Sequence, residues 1–306
     1  MTTVVGVLCT RVRVEEKRLI AALAEAGVVA KPFPPSLLPI SVGSPTSDDP
    51  NLSAETPPAL VIDRVVSRAH ARASRVTYRF ANIPVIDGGR SSRSDRLVIA
   101  ERLAEIGLPR PRTVLISSEV AGLAAVRQAG GPCTLMPNDP GTPEIVLHDL
   151  DVAEATLEHR DMLGGHHDNI SLIQDGIAVP GSRLRLILVD GRVIAREGRV
   201  DGDWDLTTAS RLAELTAAVL RSDFVAVDIA MMGGKLVIWD TIPTPDFRHA
   251  EPIGESSVEG AVADLVRRRL GLPEVAKVTG QRASSGGAVL VHGSRLEGAQ
   301  DAVLSA

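Results

Sequence analysis

Two aspartates carry the clearest chemical signal in this 306-residue chain. Asp228 closes the apolar run Phe224-Val225-Ala226-Val227-Asp228, and Asp240 closes Leu236-Val237-Ile238-Trp239-Asp240. The turn pair Gly233-Gly234 separates the two runs, so they read as a hairpin whose carboxylates converge. A carboxylate in an apolar strand is costly unless it is paired or bound to a cation. Two that converge suit a hard cation, and magnesium takes one or two carboxylates plus phosphate oxygens. The other reading is that each aspartate ends its strand near solvent. Further candidates are weaker. His166-His167-Asp168 has metal-ligand residue types but reads as a solvated loop. Gly233-Gly234-Lys235 lacks the first glycine and the Ser/Thr of a phosphate-binding loop. Trp204 reads as a packed loop aromatic rather than a stacking platform, and no Ser/His/Asp or Cys/His nucleophile arrangement stands out.

The elements that must position these groups follow from periodicity. A buried strand over 4–8 precedes an amphipathic helix over 15–26, with Leu19, Ile20, Leu23 and Ala24 on one face and Gly27 as its stop. Residues 31–58 hold eight prolines and no periodicity, which predicts a long irregular loop. A strand over 59–62, a helix over 67–80 and a strand over 84–86 complete a parallel α/β unit. A second unit begins near Ser91 with a helix to Ile106. It continues with strands over 113–116, 133–136, 145–148 and 170–174. Helices fill 118–129, capped by Ser117 or Ser118, and 152–163. A third unit pairs strands over 184–189 and 193–199 about Asp190-Gly191. A helix over 208–221, the aspartate hairpin and a helix over 256–270 follow. Residues 272–306 read as a mobile tail. The fold class is thus α/β and α+β.

Composition bounds the function. Aromatic residues are 2% of the chain, so the core is filled by Ala, Val, Leu and Ile. A net charge of -5 and the absence of a long Lys/Arg run argue against a nucleic-acid partner. Arg267-Arg268-Arg269 reads as a solvated helix end. Cys9 and Cys133 read as buried free thiols. With no leader pattern and no 18-residue apolar stretch, no membrane contact is expected and the location reads as cytoplasmic.

From about residue 4 to 250 the sequence resembles the ATP-grasp ligases, within them the RimK-like group and its LysX branch of lysine biosynthesis. The resemblance is carried by Thr10-Arg11-Val12-Arg13-Val14-Glu15-Glu16, by 104–113 (Ala-Glu-Ile-Gly-Leu-Pro-Arg-Pro-Arg-Thr), and by 157–165. It is carried further by Ile173-Gln174-Asp175, Pro180-Gly181-Ser182-Arg183-Leu184-Arg185 and Val225-Ala226-Val227-Asp228. It implies an N-terminal parallel α/β (pre-ATP-grasp) domain over 1–90, a central lobe over 91–177, a C-terminal lobe over 178–271, and ATP held between the lobes. It also implies a reaction: ATP phosphorylates a carboxylate and an amine attacks the acylphosphate, with magnesium and cationic side chains offsetting charge. In the LysX branch the carboxylate is the C-terminal Glu of an acidic amino-group carrier protein. A homo-oligomer is implied as well.

Several positions depart from the family pattern. Arg96 stands where the family has its first lysine, keeping charge but not ammonium geometry. Met136 replaces the second nucleotide-contacting lysine and cannot donate to phosphate. The glycine-rich loop becomes Asn138-Asp139-Pro140-Gly141-Thr142, where Asp139 would repel ATP. The adenine hinge becomes Gln174-Asp175-Gly176-Ile177, and the metal motif becomes Asp240-Thr241-Ile242, in which Ile242 cannot ligate. Two readings follow. In the first the chain is an active ligase. Arg185 is catalytic and touches phosphate, and Arg96, Gln174, Asp175 and Ile177 bind nucleotide. Asp228 and Asp240 hold magnesium, and Arg11, Arg13 and Arg199 contact substrate. In the second the chain is a pseudoenzyme that binds an active ligase paralogue or the carrier protein.

Overall fold

The structure, a computed structural model, describes residues 3–35, 57–88, 96–140, 142–163, 170–179, 181–202 and 204–273. The first unit opens with β1 (Val4–Leu8), α1 (Val14–Glu25), β2 (Val29–Phe33), β3 (Leu60–Asp63), α2 (Arg68–Phe80) and β4 (Val85–Ile86). Its sheet runs β2-β1-β3-β4 with every pair parallel. β1 and β3 are near-continuous apolar runs because helices or neighbouring sheets cover both their faces. β2 corrects the expectation of irregular chain from residue 31. It is an edge strand that carries Pro32 where no ladder partner is needed outside, so neither alternation nor β propensity marked it. The remaining loop residues 36–56 and the tail from 274 lie outside the described residues.

Next along the chain come α3 (Arg96–Glu105), β5 (Thr113–Ile116), α4 (Glu119–Ala129), β6 (Cys133–Pro137), β7 (Ile145–Leu147), α5 (Leu150–Leu163) and β8 (Ser171–Asp175), and α3 departs from the expected second unit because Ile99 and Leu103 pack with Leu184, Leu212 and Val225 instead. The sheet order is β5-β8-β6-β7, antiparallel throughout. Ser118 caps α4 by accepting the Ala121 N–H at 3.3 Å, as its position before the apolar run predicts. α4 and α5 cover this sheet around Ile116, Ala125, Leu135, Leu157 and Ile173.

The third unit comprises β9 (Arg183–Val189), β10 (Arg192–Glu197), α6 (Leu206–Leu220), β11 (Phe224–Met232), β12 (Lys235–Ile242), β13 (Glu251–Pro252) and α7 (Val258–Arg269). The order is β12-β11-β9-β10-β13. Both predicted turns place two residues at positive φ: Asp190 at 53° with Gly191 at 74°, and Gly233 at 53° with Gly234 at 76°. That is the hairpin geometry whose twist matches the strands. Period-2 alternation sorts β11. Val225, Val227 and Ile229 pack on α6, while Phe224 and Ala226 face α7 and the first unit. Asp228 shares the face of Phe224 and Ala226. α6 is capped by Asp205, whose Oδ1 accepts the N–H groups of Thr207 and Thr208 at 3.0 Å each.

One buried cation ties the first unit to the third. Arg64, 1% exposed, donates through Nε to Glu16 Oε1 at 3.1 Å and through Nη1 to the Pro245 carbonyl at 2.8 Å. Its guanidinium lies 5.5 Å from the ring centroids of both Phe224 and Phe247. The basic end of α7 does more than face solvent. Arg267 donates to the Ala26 carbonyl just past the end of α1, Arg268 pairs with Asp190 at 2.8 Å, and Arg269 pairs with Asp223 at 2.6 Å. Among the described residues no helix is long and apolar enough to cross a membrane.

Asp223 leads into β11 beside Asp87 and Asp190. Burial pushes its carboxyl up to about 6, with Arg269 pulling down and the two aspartates pushing up. The folded chain therefore holds this proton more tightly than the unfolded chain, whose aspartate titrates near about 3.9. Its contribution to stability is complete at acid pH and is lost as pH rises through about 6. Asp223→Asn should flatten this segment of the pH dependence, raising the thermal midpoint at about pH 7 more than at about pH 4. Thermal melts across that range check it.

Candidate functional site

Register, not sequence proximity, assembles the site. Arg185 on β9 lies directly opposite Asp228 on β11, and Asp228 lies opposite Asp240 on β12. A bulge follows, because Ile229 pairs with Ile238 and leaves Trp239 as the extra residue. The bulge lets Ile238 pack on the α6 face while Asp240 lies level with Asp228. The convergence expected of the two carboxylates is present.

Their charge is met by arginine. Arg185 forks onto Asp228, with Nε to Oδ1 at 2.8 Å and Nη2 to Oδ2 at 3.0 Å. This bond, first, and the charges of Asp228, Glu197 and Asp240 hold the guanidinium proton above its ordinary range despite burial. Arg96 forks onto Asp240, with Nε to Oδ1 at 3.1 Å and Nη2 to Oδ2 at 2.7 Å. Burial pushes the Asp240 carboxyl up, Arg96 pulls it down and Asp228 pushes it up again, leaving it above the usual range. Arg96 begins α3, and Asn138 meets that helix start, its carbonyl taking the Arg96 N–H at 2.9 Å and its Oδ1 the Leu97 N–H at 3.2 Å.

The carboxylates and both arginines lie on the wall of a cavity of about 400 Å³. The first unit adds Arg13, Val65, Val66 and Ala71, the β6–β7 connection adds Pro140, Pro143 and Glu144, and β12 with its following loop adds Ile242, Thr244 and Asp246. Each arginine on this wall has a carboxylate partner. Beyond Arg96 and Arg185, Arg13 pairs with Glu16 at 2.7 Å and Arg183 with Glu144 at 2.5 Å. Glu144 also accepts the Trp239 Nε1–H at 2.8 Å, so one side chain of the β6–β7 connection grips β9 and β12. Burial raises the Glu16 carboxyl, and hydrogen bonds from Arg13 and the charge of Arg64 outweigh it, leaving Glu16 below the ordinary range. Arg11 and Arg199 are exposed and do not line the cavity.

Of the residues expected to bind nucleotide, Arg96 and Arg185 line this cavity, whereas Gln174 lies between the second and third sheets. Met136, Leu172, Gln174, Ile238, Trp239, Arg110 and Arg96 meet there around a void of about 20 Å³. Gln174 is 1% exposed, and its Nε2 lies 3.5 Å from the Trp239 carbonyl. The Gly176 carbonyl, a hinge group, accepts the Thr134 hydroxyl at 2.9 Å. Asp175 pairs with Arg112 at 3.3 Å, and Ile177 is partly buried. A magnesium–nucleotide complex in this arrangement would have to share Asp228 with Arg185 and Asp240 with Arg96. Both carboxylates are forked by arginine and Ile242 is apolar.

Sequence reasoning missed Arg183, Glu144 and Trp239. Arg183 stands two residues before Arg185, hence on the same strand face, and that spacing was available. Glu144 lies in a connection without periodicity and carried no signal.

No family model matches the chain. Among solved structures it is similar to a RimK domain ATP-grasp protein from Sphaerobacter thermophilus, with a TM-score of 0.69 and 26% identity over 86% of this chain and 99% of that one. It is also similar to the ATP-grasp ligase PsnB bound to a minimal precursor (TM-score 0.66, 16% identity, 88% and 100% covered). A D-alanine–D-alanine ligase from Bacillus anthracis matches at a TM-score of 0.56 and 14% identity, covering 79% and 87%. The chain has the ATP-grasp fold, and these neighbours are ATP-grasp ligases.

Removing one member of a forked pair strands the other. Asp228→Ala leaves Arg185 with Glu197 at 3.8 Å as its nearest carboxylate. Because Arg185 keeps some exposure, the expected loss is about 2 kcal/mol, below the range for fully buried pairs. Replacing both, as Arg185→Met with Asp228→Leu, should recover most of it. Urea denaturation of the three proteins measures this.

Proposed function

We propose that this chain is a non-catalytic relative of the ATP-dependent carboxylate–amine ligases, retained as a binding protein. Its partner is an acidic amino-group carrier protein or an active ligase paralogue. The observation that carries the reading is the filled cleft between the second and third sheets, where Met136, Gln174 and the Thr134–Gly176 bond occupy the positions at which the resemblance places nucleotide. An apolar Met136 offers a triphosphate no donor, and each lost charged contact removes about 1.5–3 kcal/mol of binding. The PsnB neighbour, solved with its precursor peptide and AMPPNP, supports a polypeptide partner on this fold. A cytoplasmic location and a homo-oligomer belong to the same proposal.

The second reading is ATP-dependent ligation through an acylphosphate, in the LysX or RimK manner. It is favoured by the unbroken row of Arg185, Asp228 and Asp240 on three adjacent strands at the wall of the 400 Å³ cavity. In that reading Arg185 contacts phosphate and the two aspartates hold magnesium. Arg96, Gln174, Asp175 and Ile177 hold the nucleotide, and Arg11, Arg13 and Arg199 hold substrate. In that reading Arg185 keeps its fork on Asp228 and offers its Nη1 donors to phosphate.

Calorimetric titration of the folded chain with ATP, with and without magnesium, separates the two. The expected result is no binding heat up to millimolar ATP, together with binding of a purified amino-group carrier protein. Micromolar ATP binding that depends on magnesium and is lost in Asp240→Asn would overturn the first reading in favour of ligation.

A further inference from the structure

The main chain beside Asp240 is arranged for a cation. Phosphate cradles present backbone N–H groups. Here backbone carbonyls turn toward one point instead. The oxygens of Pro137, Asp139 and Thr142 lie 2.6, 3.0 and 3.2 Å from Arg96 Nη1, and that of Pro140 lies 3.4 Å from Nη2. Both oxygens of Asp240 complete the set from the opposite side. Two of the four carbonyl residues are prolines, which have no N–H to turn inward.

The guanidinium uses its five N–H groups on this set of six oxygens, and Arg96 is 6% exposed. A planar fork can span a carboxylate on one side and a ring of carbonyls on the other, whereas an ammonium is a point charge with three donors. Arg96 therefore binds three separate pieces of chain at once: α3, the β6–β7 connection and β12.

We propose that Arg96 is an internal counter-ion filling a cation seat built from Asp240 and four main-chain carbonyls. It holds the β6–β7 connection against β12 without any bound ligand, and it excludes divalent metal from the Asp228–Asp240 pair. The seat is lined by oxygen acceptors, so its natural occupants are cations. This goes beyond the reading of the nucleotide cleft and does not require it.

The test uses the full chain, Mn²⁺ as probe and no nucleotide. The native protein should show no Mn²⁺ binding at millimolar concentration by electron paramagnetic resonance. Arg96→Met should melt earlier and bind Mn²⁺ at least about tenfold more tightly than the native chain. Adding Asp240→Asn to it should abolish that binding. Native Mn²⁺ binding that Asp240→Asn removes overturns the proposal, and so does a folded Arg96→Met that takes up no Mn²⁺. Should Arg96→Met fail to fold, Arg96→Lys decides. A lowered melting midpoint with faster amide exchange at Asp139 and Thr142 supports the seat, and values equal to native overturn it. ATP is absent throughout, so ATP binding in the calorimetric titration and failure here are separate results.

Discussion

Two carboxylates set opposite each other on adjacent buried strands demand positive charge, and the region around Asp228 and Asp240 is organised by that demand. Like charges directly across a ladder are destabilising, and low solvent access enlarges the repulsion. The chain answers with two guanidinium forks of different origin. Arg185 comes from the next strand of the same sheet, where register alone delivers it. Arg96 comes from 144 residues away, so the start of α3, whose Ile99 and Leu103 pack in the α6 core, must be held against the β12 edge of that sheet. The contacts of that helix start with Asn138 and of Glu144 with Trp239 and Arg183 then follow as parts of one junction.

The same pairing sets the character of the cavity. A pocket for a polyanion keeps donors uncommitted and aimed inward. Here the four wall arginines are each matched by a carboxylate, so the wall is close to neutral although it is rich in charge. A newcomer that takes a donor already forked onto a carboxylate leaves a partly buried carboxylate behind, so it gains most from the donors outside the forks, such as Nη1 of Arg185. Small apolar groups such as Val65, Val66, Ala71 and Ile242 interrupt the charged surface and cannot repay such a cost by hydrogen bonding.

Much of this was legible in local patterns. The strand carrying Asp228 showed its faces through Val225, Val227 and Ile229, and the turns at Asp190-Gly191 and Gly233-Gly234 declared themselves by residue type. Convergence of the two aspartates followed from those signals. What answers their charge did not, because Arg96 and Asp240 meet only through tertiary packing. Glu144 and Trp239 were hidden for the same reason. β2 was missed because an edge strand with a proline lacks the alternation that marks half-buried strands. The arginines at the end of α7 looked solvated, since a sequence cannot show that Arg267 reaches the end of α1.

The side chains at positions 96, 110, 136 and 242 act on one another through the same small space and the same two aspartates. Arg110 and Arg96 both border the small void beside Met136. Burial already pushes the Arg110 guanidinium below its ordinary range, with Asp240 opposing. A lysine at position 136 would add a third cation to a space that offers carboxylate to only one, and an unpaired buried ammonium is costly. Methionine fills that space with an adaptable apolar chain. Ile242 fits the same logic. Once Arg96 supplies the positive charge that Asp240 needs, no further ligand is required on that strand, and an apolar side chain can pack near the core of the first and third units. Arginine at 96, methionine at 136 and isoleucine at 242 therefore form one self-consistent answer to the charge of two aspartates, in which each residue suits the others.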